Sequence, residues 1–119
     1  MSILDRFSLK NQKALVTGGG SGIGKGLALA LAEVGANVAV ADINLPSAEK
    51  TAEDLTKLGV ASFAIEVDVA DASQVQNMVK RVVDRWSRLD VAINSAGIGI
   101  HIPAEELTEE LWDKMLNVN

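Results

Sequence analysis

The chain has 119 residues, of which 48% are apolar and 23% are charged, and it contains neither cysteine nor tyrosine. These values fit one globular domain over residues 1–119 and exclude disulfides and thiolate catalysis. The net charge of −5 attracts neither nucleic acid nor an anionic membrane, so we predict neither as a partner. The single histidine, His101, excludes a His-rich metal site, and we predict no metal ligands.

The first residues and the longest apolar runs indicate where in the cell the protein is expected. No stretch approaches the ~20 consecutive apolar residues of a membrane span. The opening Met-Ser-Ile-Leu-Asp-Arg also lacks the basic-then-apolar order of a signal peptide. We therefore expect a cytoplasmic protein.

Four short apolar runs alternate with four helical patterns along the chain. The runs predict buried strands at 13–17, 37–41, 61–67 and 89–94. The first helix follows the glycines after Thr17 and ends before Gly35, and the second begins near Pro46 and ends before Gly59. The third begins at an Asp71 cap with Gln74 three residues on, and the last begins at Thr108. The alternation, βαβαβαβα, predicts a parallel sheet with helices on both faces.

Helical spacing also predicts which side chains each helix buries. The predicted buried positions of the four helices, in chain order, are Ile23, Leu27, Ala30, Leu31 and Val34; Ala48, Ala52, Leu55 and Leu58; Val75, Val79, Val82 and Trp86; and Leu111, Trp112 and Met115. In the last helix we interpret Trp112 and Met115 as packing residues rather than ligand contacts.

Glycine occupies five of the seven positions from Gly18 to Gly24, between the first strand and the first helix. Glycine there lets backbone amides approach an anion at the helix N-terminus, whereas a plain connecting turn needs fewer glycines. The triphosphate loop G-x-x-x-x-G-K-[ST] is an alternative, matched from Gly19 to Lys25. Gly26 stands where that loop needs a hydroxyl for magnesium, so Lys25 is better interpreted as a solvated helix residue.

The spacing Thr-Gly-x-x-x-Gly-x-Gly, at Thr17, Gly18, Gly22 and Gly24, resembles the cofactor loop of the short-chain dehydrogenase/reductase family. The resemblance extends over the whole chain and implies a three-layered, Rossmann-like doubly wound sheet, incomplete at four strands and four helices. It implies strand order 3-2-1-4. It also implies cofactor contacts at the loop, which we assign to Gly18, Ser21, Gly22, Ile23 and Gly24.

Asp42 ends the second strand, 18 residues past Gly24. An acidic side chain there accepts hydrogen bonds from the adenosine ribose and repels a 2′-phosphate, which favours NAD over NADP. Neither Ser21 nor Ile43 supplies a cation for NADP. The alternative is an aspartate that only starts the turn before Pro46.

Three further segments resemble the family and carry implied roles. Asp68 and Val69 resemble its adenine-contacting pair. Asn94-Ser-Ala-Gly97 is similar to the family's Asn-Asn-Ala-Gly stretch beside the nicotinamide ribose, except that Ser95 replaces the second asparagine. We assign cofactor contacts to Asn94, Ala96 and Gly97. Asn119 resembles the asparagine of the catalytic tetrad, which in relatives is implied to hold a water in the proton relay.

The family transfers a hydride between NAD(P) and a small alcohol or carbonyl substrate, using a Tyr-x-x-x-Lys pair and a serine as its acid/base centre. The chain has no tyrosine, so we predict that it binds cofactor without catalysing the reaction. We expect it to be the N-terminal part of a longer enzyme; the alternative is a 119-residue, non-catalytic dinucleotide-binding or interaction protein. The resemblance also implies a homo-oligomer, and a fourth strand at the sheet edge favours association.

A histidine and a cluster of glutamates near the last predicted helix could be functional or merely exposed to solvent. His101 is interpreted as a loop residue rather than a substitute base. The acidic cluster of Glu105, Glu106, Glu109 and Glu110 is interpreted as a solvated face, with a weak cation site as the alternative.

Overall fold

Four parallel strands form one sheet in the computed structural model, which describes residues 1–119. The strands are β1 (Lys13–Thr17), β2 (Asn37–Asp42), β3 (Ser62–Glu66) and β4 (Val91–Asn94). The α-helices are α1 (Ile3–Arg6), α2 (Gly22–Glu33), α3 (Leu45–Lys57), α4 (Ala72–Trp86) and α5 (Glu109–Val118), and a single 3₁₀ turn spans Ala104–Glu106. The sheet order is β3-β2-β1-β4, which confirms the predicted order and the α/β class.

The helices pack on both faces of the sheet, because alternate residues of each buried strand point to opposite sides. Val16 and Val38 point to the face covered by α2 and α3, where they pack with Leu55. Leu15 points to the other face, where it packs with Val82 of α4. The two clusters lie on opposite faces of one parallel sheet, so the predicted three-layered, doubly wound arrangement is confirmed.

Polar caps fix where the helices begin. The Asn44 side chain accepts a hydrogen bond from the Ser47 amide at the start of α3, and Thr108 accepts one from the Leu111 amide at the start of α5. Asp71 caps α4 as predicted and accepts from the Ser73 and Gln74 amides. Each cap satisfies amides that have no partner inside the helix, which defines its first turn.

The predicted buried face of α2 is wrong. Ile23 is 79% exposed, and the buried residues are Gly24, Ala28 and Ala32, one position further along. The reason is a close approach: a Cβ on Gly24 would lie 2.1 Å from the Gly18 carbonyl oxygen. Only small residues fit at that distance, so Gly24, Ala28 and Ala32 are the buried positions, while Leu29 and Leu31 pack against the same core and are only partly buried.

The other differences are local. The short helix α1 and the 3₁₀ turn were not expected; α1 is held by a capping box between Ser2 and Asp5. β4 begins at Val91 rather than residue 89, and the side chain of Asp90, just before it, accepts a hydrogen bond from the Lys13 amide. Trp112, interpreted as a packing residue, is 54% exposed, and Leu58 and Val79, predicted to be buried, are 48% and 38% exposed. No helix combines the length and apolar character that crossing a membrane requires.

Candidate functional site

A cleft of about 1160 Å³ lies at the carboxyl ends of the strands. It opens beside β1 and β4, which are neighbours in the sheet although they are far apart in the chain. In doubly wound sheets, ligands bind at this reversal of strand order. The lining residues are Gly18, Ser21, Gly22, Ile23, Gly24, Asp42, Ile43, Val67, Asp68, Val69, Ala70, Ser95, Ala96, Gly97, Ile98, Glu109, Glu110, Asp113, Lys114, Asn117 and Val118.

The glycine loop brings the end of β1 against the end of β4. Gly18 has a positive φ of 66°, and a Cβ there would lie 2.8 Å from the Ala96 backbone. The Thr17 hydroxyl accepts a hydrogen bond from the Ala96 amide at 3.3 Å. The two loops are therefore in direct contact, and glycine at position 18 is required both by its conformation and by this contact.

The N-terminus of α2 opens into the cleft. Ser21 is its N-cap, but the Ser21 side chain makes no capping hydrogen bond, unlike the caps of α3, α4 and α5. Gly22 has a positive φ of 55° and no atom within 4 Å of the position where a Cβ would lie. The uncapped amides and the open space beside Gly22 suit an anionic group such as a pyrophosphate.

Lys25 does not line this cleft. Its Nζ lies 3.6 Å from the Asp54 carboxylate of α3 instead. A triphosphate loop needs its lysine directed at the phosphates. The arrangement therefore disfavours the ATP or GTP alternative.

Asp42 is half-buried at the end of β2, and both of its carboxylate oxygens accept backbone hydrogen bonds. Oδ2 accepts from the Gly20 amide at 2.9 Å, and Oδ1 accepts from the Asn44 amide at 3.0 Å. Each oxygen can accept more than one hydrogen bond, so the carboxylate can still receive hydroxyl donors from the cleft. The backbone thus holds the carboxylate in a fixed orientation at the cleft wall.

Asp68 and Val69 line the cleft beyond the end of β3, the strand next to β2. Asp68 Oδ1 accepts from the Ala70 amide at 2.9 Å, while the Asp68 amide donates to Gln74 Oε1 at 2.8 Å. Gln74 therefore fastens this loop to α4, beyond the capping role predicted for it. The Asp71 side chain beside it accepts a hydrogen bond from the Ser73 hydroxyl, which together with the Gln74 backbone amide lowers the pKa of Asp71 below its ordinary value.

The segment after β4 supplies Ala96 and Gly97 to the cleft, together with Ser95 and Ile98, which were not assigned contacts. Asn94 pairs with Thr17 in the sheet but is exposed and does not line the cleft. The role assigned to Asn94 stays a prediction.

Asn119 contacts this segment and does not itself line the cleft. Its Oδ1 accepts from the Ile98 amide at 2.8 Å, and its Nδ2 donates to the Ile98 carbonyl oxygen at 2.9 Å. Both polar groups of the side chain are thereby used to position the loop that lines the cleft. The water-holding role implied for Asn119 stays a prediction.

Helix α5 forms a wall of the cleft that was not foreseen from the sequence. Glu109, Glu110 and Asp113 line it together with Lys114, so part of the acidic cluster faces the cleft. The sequence does show charged residues recurring along one side of this helix. Acidic residues in the first turn of a helix are equally typical of a solvated face, so the pattern alone did not indicate a cleft. His101 is exposed in the loop before α5.

The doubly wound parallel sheet, with a glycine loop and a carboxylate at the carboxyl ends of adjacent strands, defines the Rossmann-like class of α/β proteins. Within that class, the family model for short chain dehydrogenase matches residues 12–119. The chain belongs to the short-chain dehydrogenase/reductase family.

Individual relatives agree with this assignment. The chain is 43% identical over 109 residues to the 3-oxoacyl-[acyl-carrier-protein] reductase FabG of Staphylococcus aureus, covering 91% of this chain and 44% of that protein. It is 38% identical over 111 residues to sorbitol dehydrogenase of Cereibacter sphaeroides, covering 93% and 42%. The crystal structure of a short-chain type dehydrogenase/reductase from Mycobacterium marinum superposes with a TM-score of 0.94 at 33% identity, covering 98% and 47%. The chain spans less than half the length of these relatives.

Proposed function

We propose that this chain is the cofactor-binding part of an oxidoreductase that transfers a hydride between NAD and a small alcohol or carbonyl substrate. The observation that carries the proposal is Asp42, a half-buried carboxylate fixed at the wall of the cleft by the Gly20 and Asn44 amides. A carboxylate in that position accepts hydrogen bonds from ribose hydroxyls. Membership of the family supports the reaction type.

The residues of the cleft fit a dinucleotide. The uncapped N-terminus of α2 and the open space at Gly22 would hold the pyrophosphate. Asp42 would hold the adenosine ribose, Asp68 and Val69 the adenine, and Ala96 with Gly97 the nicotinamide ribose. The bound nicotinamide would supply the hydride, and the protein orients it.

NAD is favoured over NADP by charge. A 2′-phosphate would approach the Asp42 carboxylate, and the like charges repel. Ile43, the next residue on this wall, is apolar and offers no cation to offset that repulsion.

A calorimetric titration of the chain with NADH and with NADPH tests this proposal. We expect NADH to bind more tightly than NADPH, and Asp42→Ala to weaken NADH binding by about tenfold or more, as expected for lost hydrogen bonds to a charged group. Asp84→Ala is the matched control, because Asp84 is exposed on α4 and pairs only with Lys80. Equal NADH affinity in the wild type and in Asp42→Ala would refute the role of Asp42.

A second candidate is a protein that binds dinucleotide or a partner without catalysis. The absence of tyrosine favours it for the 119-residue chain taken alone, because the family's general acid/base is a tyrosine. The purified chain is expected to give no NADH-dependent turnover of alcohols or ketones. Measurable turnover would refute the non-catalytic assignment and require another acid/base group.

The remaining assignments stay predictions. Homo-oligomer formation is supported by the position of β4 at the sheet edge and by the exposed Trp112 and Leu116 on α5. The substrate is an alcohol or carbonyl compound of unassigned identity, and a cytoplasmic location remains an expectation from the sequence.

A further inference from the structure

Gly20 of the glycine loop contacts the Asp42 carboxylate, and no cofactor contact is assigned to it. Its amide donates to Asp42 Oδ2 at 2.9 Å. A Cβ on Gly20 would lie 2.8 Å from that same oxygen and 3.1 Å from the Asp42 Cγ. The φ of Gly20 is not positive, so an L side chain is conformationally allowed. The obstacle to a side chain is therefore Asp42 and not the backbone.

The third member of this contact is Ser47, in the first turn of α3. A Cβ on Gly20 would also lie 2.8 Å from the Ser47 Cβ. Ser47 has little freedom to retreat, because its amide is held by the Asn44 cap at 3.1 Å and the following residue, Ala48, is completely buried. Of the two obstructing groups, the Asp42 carboxylate is thus the one that can move.

We propose that Gly20 is a positioning residue for cofactor selectivity: the absence of a side chain there lets Asp42 stand where it favours NAD over NADP. This inference rests on the proposed function, since it assumes that Asp42 receives the adenosine ribose. A methyl group at position 20 pushes the carboxylate off the Gly20 amide, and the carboxylate loses its fixed orientation. Hydrogen bonding to the ribose and repulsion of a 2′-phosphate then weaken together.

The test is the ratio of the dissociation constants for NADPH and NADH, measured by calorimetry on the 119-residue chain. The ratio does not depend on the folded fraction of a sample, so a loss of stability alone leaves it unchanged. Gly20→Ala is expected to lower the ratio about tenfold, the scale of one hydrogen bond to a charged group. Gly26→Ala is the matched control, because Gly26 is exposed on α2 and an added Cβ meets nothing within 4 Å.

A double-mutant cycle separates action through Asp42 from any other effect. In the Asp42→Ala background, Gly20→Ala is expected to change the ratio less than about twofold, since the group it displaces is gone. If Gly20→Ala does not fold, the double variant Gly20→Ala/Ser47→Gly removes the clash with α3 and keeps the contact with Asp42. That variant is expected to show the same fall in the ratio.

The outcomes distinguish the two proposals. An unchanged ratio in Gly20→Ala, with a wild type that prefers NADH, overturns the role of Gly20 and leaves the proposed function standing. An equal change in the ratio in the wild-type and Asp42→Ala backgrounds also overturns the role of Gly20. A wild type that binds neither dinucleotide overturns the proposed function, and the role of Gly20 with it.

Discussion

Asn119 and Ile98 are joined by two hydrogen bonds, one from the Ile98 amide to Asn119 Oδ1 and one from Asn119 Nδ2 to the Ile98 carbonyl oxygen. The pair connects the end of α5 to the loop after β4, across 21 positions of the chain. Because Ile98 lines the cleft, this connection fixes one of its walls. An asparagine side chain can make both bonds because its amide group carries an acceptor oxygen and a donor nitrogen.

Replacing Asn119 tests that connection. Asn119→Ala removes both hydrogen bonds and is expected to lower the free energy of unfolding by about 1 kcal/mol, since both bonds are exposed. It is also expected to speed hydrogen exchange at the Ile98 amide, measured by NMR. Asn117→Ala, on the same helix and without a side-chain hydrogen bond, is the control. Unchanged exchange at Ile98 would contradict the assigned connection.

Gly24 and Gly26 lie two positions apart in α2 and are expected to respond in opposite directions. Gly24→Ala places a Cβ 2.1 Å from the Gly18 carbonyl oxygen, and we expect it to lower stability by about 3 kcal/mol or to prevent folding. Gly26→Ala meets no atom and is expected to raise stability by up to about 1 kcal/mol through helix propensity. Urea unfolding measures both. Equal effects would mean that α2 does not approach the glycine loop as described.

The pH dependence of stability tests a hydrogen-bonded carboxylate at the other end of the sheet. The Lys13 amide, followed by the Arg88 side chain, holds the pKa of Asp90 below its ordinary value of 3.8. A lowered pKa in the folded state contributes stability above the unfolded-state pKa, and this contribution is lost as the pH falls through the folded-state pKa.

The corresponding variant is Asp90→Asn. Urea unfolding between about pH 6 and about pH 3 is expected to show a steeper loss of stability for the wild type than for Asp90→Asn. Asp84→Asn on the exposed face of α4 controls for the change in net charge. Parallel pH profiles for the wild type and Asp90→Asn would contradict the assignment.

The edge position of β4 predicts self-association of the 119-residue chain. β4 pairs only with β1, so its outer backbone groups are free to pair with another strand. Sedimentation velocity is expected to show oligomers or aggregates. Ala92→Lys, which places a charge on the exposed side of β4, is expected to reduce them, whereas Ala30→Lys at an exposed position of α2 is not. A wild-type chain that sediments as a monomer would contradict this prediction.

The alternation of strands and helices could be predicted from local signals in the sequence, whereas the strand order was implied by the resemblance to the family. Gly18 and Gly24 stand where backbone segments touch, Asp42 is the last residue of β2, and Asp68 lies two residues after the end of β3. Parallel strands bring their carboxyl ends to one edge of the sheet, so residues in these positions meet whatever the details of packing.

Features that depend on distances between elements were not accessible from the sequence. Nearly every position of α2 is apolar or small, so periodicity alone could not show that Ala28 faces the sheet and Ile23 does not. The hydrogen bonds between Asn119 and Ile98 require the actual placement of α5. The same placement brings Glu109 to the cleft, although its composition is typical of a solvated face.

The most direct test of NAD binding in this cleft is an NMR titration of the ¹⁵N-labelled chain with NADH. We predict saturable shifts of the amides of Gly18, Ser21, Gly22, Asp42 and Asp68, with the amides of α1 and of Gly59 at the far end of the sheet unchanged. No saturable shifts, or shifts confined to α1 and Gly59, would contradict the proposed dinucleotide site.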